Sequence, residues 1–177
     1  MNETKQKSSQ AMCASAIRKE LKQSFPETKF KVTSESFANG NAVDVDWTDG
    51  PTRNQIEEIT KKYQYGSFNG MIDYYEHTNS REDLPQAKFV QTRREYSDKL
   101  NLQTAQEVAK EFDLKIPQTI EEMGENIPFD KFSQWYNYHQ LAWKVLQGLD
   151  LTNVVKVKAD PKFESGAMFD GYIVEVA

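Results

Sequence analysis

The chain has 177 residues, of which 38% are hydrophobic, 12% aromatic and 28% charged, with a net charge of −5. That apolar share offsets the entropy of ordering a chain of this length, which excludes a wholly disordered protein and allows one larger domain or two small ones. Residues 1–100 carry 15 basic and 15 acidic side chains and residues 101–177 carry 7 and 12, so the acidic excess lies in the second part, and such a chain is a poor generic binder of phosphate backbones.

In chain order, residues 1–10 are polar and read as a disordered lead-in, without the apolar run that a signal peptide or a spanning helix needs. Cys13 is the single cysteine, which excludes an internal disulfide and a cysteine-based zinc cluster and suits a reducing cytoplasm. It sits near a helix start, but neither His77 nor His139 is close in sequence, so its role reads as structural. Cys13, Ile17, Leu21 and Phe25 recur at four-residue steps among charged residues, which predicts an amphipathic helix ended by Pro26. Alternation over 29–37 and again at Val43, Val45 and Trp47, around the Asn39-Gly40 turn, predicts a β-hairpin with one buried face. Asp49-Gly50-Pro51-Thr52 has the chemistry of a helix start, with Asp49 or Gly50 as cap and Pro51 in the first turn of a helix over 51–63. Gly66 and Gly70 bracket a turn around Phe68, 71–75 is a short extended piece, and Val90, Thr92, Arg94 and Tyr96 line one face of a third strand.

The first block is therefore an α-β-β-α-β domain over 11–97, a small antiparallel sheet backed by helices. A second block, 101–177, is a helical region with two closing strands, and the sequence leaves open whether it shares the first block's core. Its first helix is placed by the capping-box spacing of Thr104 and Glu107, and Pro117, Gly124 and Pro128 mark a loop with one helical turn at 119–123. Phe132, Tyr136, His139, Trp143 and Leu146 predict a long helix over 129–147 that Gly148 stops. Residues 154–157 and 172–176 predict the closing pair of strands.

The segments ASAIRKELKQSFP, KFKVTSESFANGNAVDVDW, WTDGPT with Gln55 after it, and FNGMIDYYEH stand in that order over residues 14–77. This combination resembles the large polyvalent protein associated domains, and within them domain 29. The resemblance implies a setting: proteins of phages, plasmids and conjugative elements, beside anti-restriction and DNA-processing modules, that help an invading element in its new host. It implies no catalytic residues.

Several clusters could carry function. Asp44, Asp46 and Asp49 place three carboxylates within six positions, as a divalent cation or an acid/base pair would need, and Asp44, Asp46 and Asp73 would be the centre of a metal-dependent hydrolase or nuclease; alternating acids also mark a solvated strand face, and Asp49 can serve a helix start. Asp73, Tyr74, Tyr75, Glu76 and His77 follow Gly70, whose permissive backbone would bring this segment close to the Asp49–Thr52 turn or to a ligand, unless both segments only shape turns and satisfy backbone groups. Arg93 and Arg94, with Lys88, Arg81, Phe89 and Tyr96, form a basic and aromatic patch suited to phosphates or single strands, or equally a charged edge that prevents aggregation. On the long helix Trp135 and Tyr138 point away from the apolar stripe, and with Asp130, Glu121 and Glu122 they make an acidic, aromatic surface of the kind that anchors protein interfaces, or equally the two aromatic side chains pack under the neighbouring loop at 115–128; His139 reads as a core histidine.

No dinucleotide, Walker, zincin, nucleophile-elbow or cysteine-pair zinc pattern occurs. The sequence leads to the expectation of a cytoplasmic, non-enzymatic mobile-element accessory protein without cofactor. It would bind a protein of the host defence machinery, as anti-restriction or anti-CRISPR inhibitors do, or, as the alternative, nucleic acid through the basic patch; no membrane contact is expected.

Overall fold

The structure, a computed structural model, describes residues 8–129, 134–161, 169 and 171–177, with only the backbone described at Pro128, Phe129, Gln134 and Trp135. The mixed α+β chain divides into two compact units. One holds the residues up to Trp47 together with Arg53–Arg94, and the other holds Thr48–Thr52 with Glu95–Ala177.

The first unit opens with helix α1 (Ser9–Ser24), so Ser9 and Gln10 are helical and not part of a lead-in; residues 1–7 lie outside the described residues. The four-residue spacing does place Cys13, Ile17 and Leu21 on one buried face. Strands β1 (Phe30–Phe37) and β2 (Gly40–Thr48) follow, paired antiparallel with Val32 opposite Val45 and Phe30 opposite Trp47. Next come α2 (Arg53–Thr60) with a 3-10 turn at Lys61–Tyr63, the small hairpin β3 (Ser67–Asn69) and β4 (Tyr74–Glu76), and β5 (Phe89–Glu95). A three-stranded sheet has the order β1-β2-β5. One face of it carries Val32, Val43, Val45 and Trp47 into a core shared with Ile17, Leu21 and Ile56. Fully burying each aliphatic side chain of that set contributes about 1.5–3 kcal/mol, which is what holds a two-layer unit of this size together.

In the second unit α3 (Asp98–Glu111) starts about two helical turns before the point that the Thr104–Glu107 spacing implies: the cap is Ser97, whose hydroxyl accepts from the Leu100 N–H at 3.4 Å. Thr104 is thus an interior helical residue, fully buried, with no hydrogen-bond partner for its hydroxyl. A 3-10 turn at Glu121–Gly124 leads into the hairpin of β6 (Asn126–Phe129) and β7 (Gln134–Asn137). Helix α4 (Tyr138–Leu146) and the antiparallel pair β8 (Val154–Ala159) and β9 (Tyr172–Val176) complete it. Val108, Met123, Leu141, Leu146 and Val157 are the fully buried centre of this second core.

The long helix expected over 129–147 is therefore corrected to a β-hairpin followed by a short helix. Pro128 has no N–H to give a helix and favours extended chain before it. The helix begins only where Asn137 and Gln140 form a reciprocal capping box, Asn137 Oδ1 accepting from the Gln140 N–H at 2.9 Å and Gln140 Oε1 from the Asn137 N–H at 3.0 Å. Starting there rotates the apolar face to Tyr138, Leu141, Ala142, Val145 and Leu146, the i, i+3, i+4, i+7, i+8 set, and turns His139 and Trp143 outward.

Candidate functional site

Two of the sequence motifs, the Asp49–Thr52 turn and the segment after Gly66, fall in different units and do different things. Asp49 and Gly50 both adopt left-handed backbone, at φ 56° and 62°. The Asp49 carboxylate accepts from the Ser97 N–H at 2.9 Å, the Asp49 N–H donates to the Glu95 carbonyl at 2.9 Å, and the Gly50 carbonyl accepts from the Leu151 N–H at 2.7 Å. Pro51 is fully buried. Since α2 begins at Arg53, Asp49 is not its cap; this turn is a structural knot of the second unit.

The hairpin of β3 and β4 is built differently. Gly66 makes it: a Cβ there would lie 2.1 Å from the Glu76 carbonyl oxygen and 2.6 Å from the Tyr75 ring, so only glycine fits. The close approach expected of Gly70 belongs to Gly66 instead, since a Cβ on Gly70 meets nothing nearer than Phe68 at 4.0 Å. At the turn, Asn69 Oδ1 accepts from the Met71 N–H at 3.1 Å, and Asn69 Nδ2 donates to Glu76 at 2.9 Å. Asp73 closes the turn with φ 50°.

What this scaffold displays is apolar. Phe68 is 58% exposed, Met71 96%, Ile72 62% and Tyr74 61%. Phe68 stands opposite Tyr75 and Tyr74 opposite Asn69. Because strand side chains alternate, Phe68 and Tyr74 project from opposite faces, with Met71 and Ile72 at the tip. Beneath them runs an aromatic strip: Tyr65 stacks on His77 with centroids 5.0 Å apart, and Tyr75 meets Phe89 edge-on at 5.5 Å, while Phe89 stacks on Phe37 at 6.2 Å. The Tyr75 hydroxyl donates to the Lys88 carbonyl, and the Lys88 ammonium lies 4.9 Å from the Tyr75 ring centre. Burial, with a smaller contribution from Tyr65, pushes the Tyr75 phenol up to about 12. The strip anchors the hairpin base and leaves its tip bare.

The basic patch does not assemble as expected. Arg93 and Arg94 are neighbours on β5 and so point to opposite faces; Arg93 reaches Asp46 at 3.0 Å, Arg81 is held by Asp83 at 2.5 Å, and Tyr96 lies past the strand among the second unit's partly buried residues. Lys88 donates to the Asn39 carbonyl at 2.9 Å. Nor do the four carboxylates converge. Asp44 and Asp46 line a shallow concavity of about 510 Å³ on the sheet's polar face, opposite Thr33 and Lys31, whereas Asp49 is held by Ser97 and Asp73 sits in the hairpin turn. Among the described residues no three His, Cys, Asp or Glu side chains are grouped to hold a metal ion. Cys13 is buried beside the Tyr63 carbonyl, and burial pushes its thiol up to about 12, which fits its reading as structural.

In the second unit, Tyr138 is buried with its hydroxyl on the Lys115 carbonyl, so it is a core anchor and not an exposed contact residue. Glu122 accepts from the Gln118 N–H at 2.8 Å; backbone and Thr119 hydrogen bonds hold the exposed Glu121 carboxyl below its ordinary range. Asp130 and the Trp135 side chain lie outside the described residues. Among the described residues of this unit the exposed aromatic is Trp143, at 51%, beside His139, Gln140, Asn101 and Tyr96. Sequence spacing missed it because the helix phase was misplaced.

Residues 8–99 match the family model of large polyvalent protein associated domain 29, and the chain belongs to that family, whose domains accompany the polyvalent proteins of mobile elements. The match runs further than the motif-bearing stretch 14–77, taking in β5 and the start of α3. No curated protein and no solved structure matches the chain. No helix among the described residues is long and apolar enough to cross a membrane.

Proposed function

We propose that this protein is a mobile-element accessory factor that acts by binding and not by catalysis, and that its partner is a protein of the host's defence machinery, which it inhibits. The observation that carries the reading is the bare apolar hairpin at residues 67–76, inside the family-matched region. A folded protein gains nothing from keeping Phe68, Met71, Ile72 and Tyr74 in water, and clustered exposed apolar groups on a preformed scaffold mark contact surfaces. The contact surface thus moves from the second block, where the sequence put it, to the first. Expression of the protein in bacterial cells should relieve restriction or interference against an incoming plasmid, and affinity purification should recover a defence protein; undiminished defence and a clean purification would defeat the proposal.

The Lys88 ammonium over the Tyr75 and Phe89 rings favours a second reading, single-stranded nucleic acid stacked along the aromatic strip. That reading requires retention of an oligonucleotide that weakens steeply with salt, and a filter-binding titration without retention at low salt removes it.

A further inference from the structure

We propose that the hairpin tip is an insertion element and that its partner is a protein offering a concave apolar pocket with a cationic rim. The inference rests on the reading above, that the protein acts by binding another protein.

Shape comes first. Phe68 and Tyr74 project from opposite faces of a two-stranded hairpin, and Met71 and Ile72 extend from its end. A flat surface could cover only one of those faces, whereas a pocket that encloses the tip removes all four side chains from water together. Charge then separates the enclosing media. Residues 64–80 contain no lysine or arginine, and their charged side chains are Asp73 and Glu76. Glu76 is engaged by Asn69 at 2.9 Å, which leaves Asp73, at the turn itself, as the charge that enters with the tip. An anionic bilayer surface or a phosphate backbone repels such an element. A protein pocket whose mouth carries a lysine or arginine attracts it, and burying the tip without such a partner would strand a carboxylate away from water.

The tip is also preformed. Asn69 fixes the turn through the Met71 N–H at 3.1 Å, and the glycine-only contact at Gly66 fixes the hairpin base. Little conformational freedom remains to be lost on insertion.

The test uses the full chain with the photocrosslinker p-benzoylphenylalanine in place of Met71, irradiated in bacterial cells, with adducts sized and sequenced. Asp73→Asn is the informative variant, because asparagine tolerates the left-handed backbone that Asp73 adopts, so charge is removed without strain. The expected result is a discrete protein adduct that Ile72→Asp abolishes and Asp73→Asn lowers roughly tenfold or more, with the crosslinked peptide mapping beside a lysine or arginine. A protein adduct indifferent to Asp73→Asn overturns the cationic rim while leaving protein binding in place. Lipid or nucleic-acid adducts, or none at all, overturn both.

Discussion

The Asp49–Thr52 turn and the hairpin at 67–76 are equally conspicuous in sequence, yet one is spent inside the fold and the other is left outside it. In the turn, polar groups answer backbone groups, through Ser97, Glu95 and Leu151, and Pro51 is buried. In the hairpin the polar residues only shape the loop, and the apolar ones face water. Glycine, aspartate and aromatic residues in a motif therefore mean different things according to what covers them.

Four measurements sharpen or break that contrast. The largest effect is expected at Gly66: Gly66→Ala drives a Cβ into the Glu76 carbonyl and should destabilise by roughly 3 kcal/mol or displace the hairpin, as read by denaturant unfolding. Gly70→Ala, with open space around it, should change stability by less than about 0.5 kcal/mol. Equal costs at the two glycines would mean that the hairpin base is not packed as described. Next is Gly50→Ala, which places a side chain on left-handed backbone at φ 62° and should cost about 1–2 kcal/mol in the same assay.

The smallest effect is electrostatic. Burial alone would raise the Glu20 carboxyl, but hydrogen bonds from Lys62 at 2.5 Å and Tyr63 at 2.7 Å outweigh it and hold the carboxyl below its ordinary range. A carboxyl lowered in the folded state stabilises above the ordinary carboxylate range, and that contribution disappears as pH falls through the folded value. Glu20→Gln should accordingly lower the melting temperature slightly at neutral pH and flatten its decline below about pH 4.5. A variant that tracks the parent at every pH would show that the ion pair contributes nothing.

Much of the fold was legible. The four-residue recurrence of Cys13, Ile17 and Leu21, and the alternation through Val43, Val45 and Trp47, are direct imprints of one-sided burial, and they placed α1, β1 and β2. The helix expected at 129–147 shows the limit: aromatic residues at mixed three- and four-residue steps satisfy a helical period by chance, and it is the Asn137–Gln140 box, inside that run, that sets the true start. Function was less legible still. The polar-aromatic segment after Gly70 stood out, but which of its residues are covered depends on Gly66, Phe89 and Lys88, contacts made at a distance that no local pattern encodes.

The most direct test is a Phe68→Ser/Ile72→Asp double variant, with thermal unfolding and partner capture measured on the same preparation. The expected result is a melting temperature within about a degree or two of the parent, because neither side chain is buried in the fold, together with loss of the captured partner. A variant that captures the partner as well as the parent does would contradict the assignment of recognition to the hairpin.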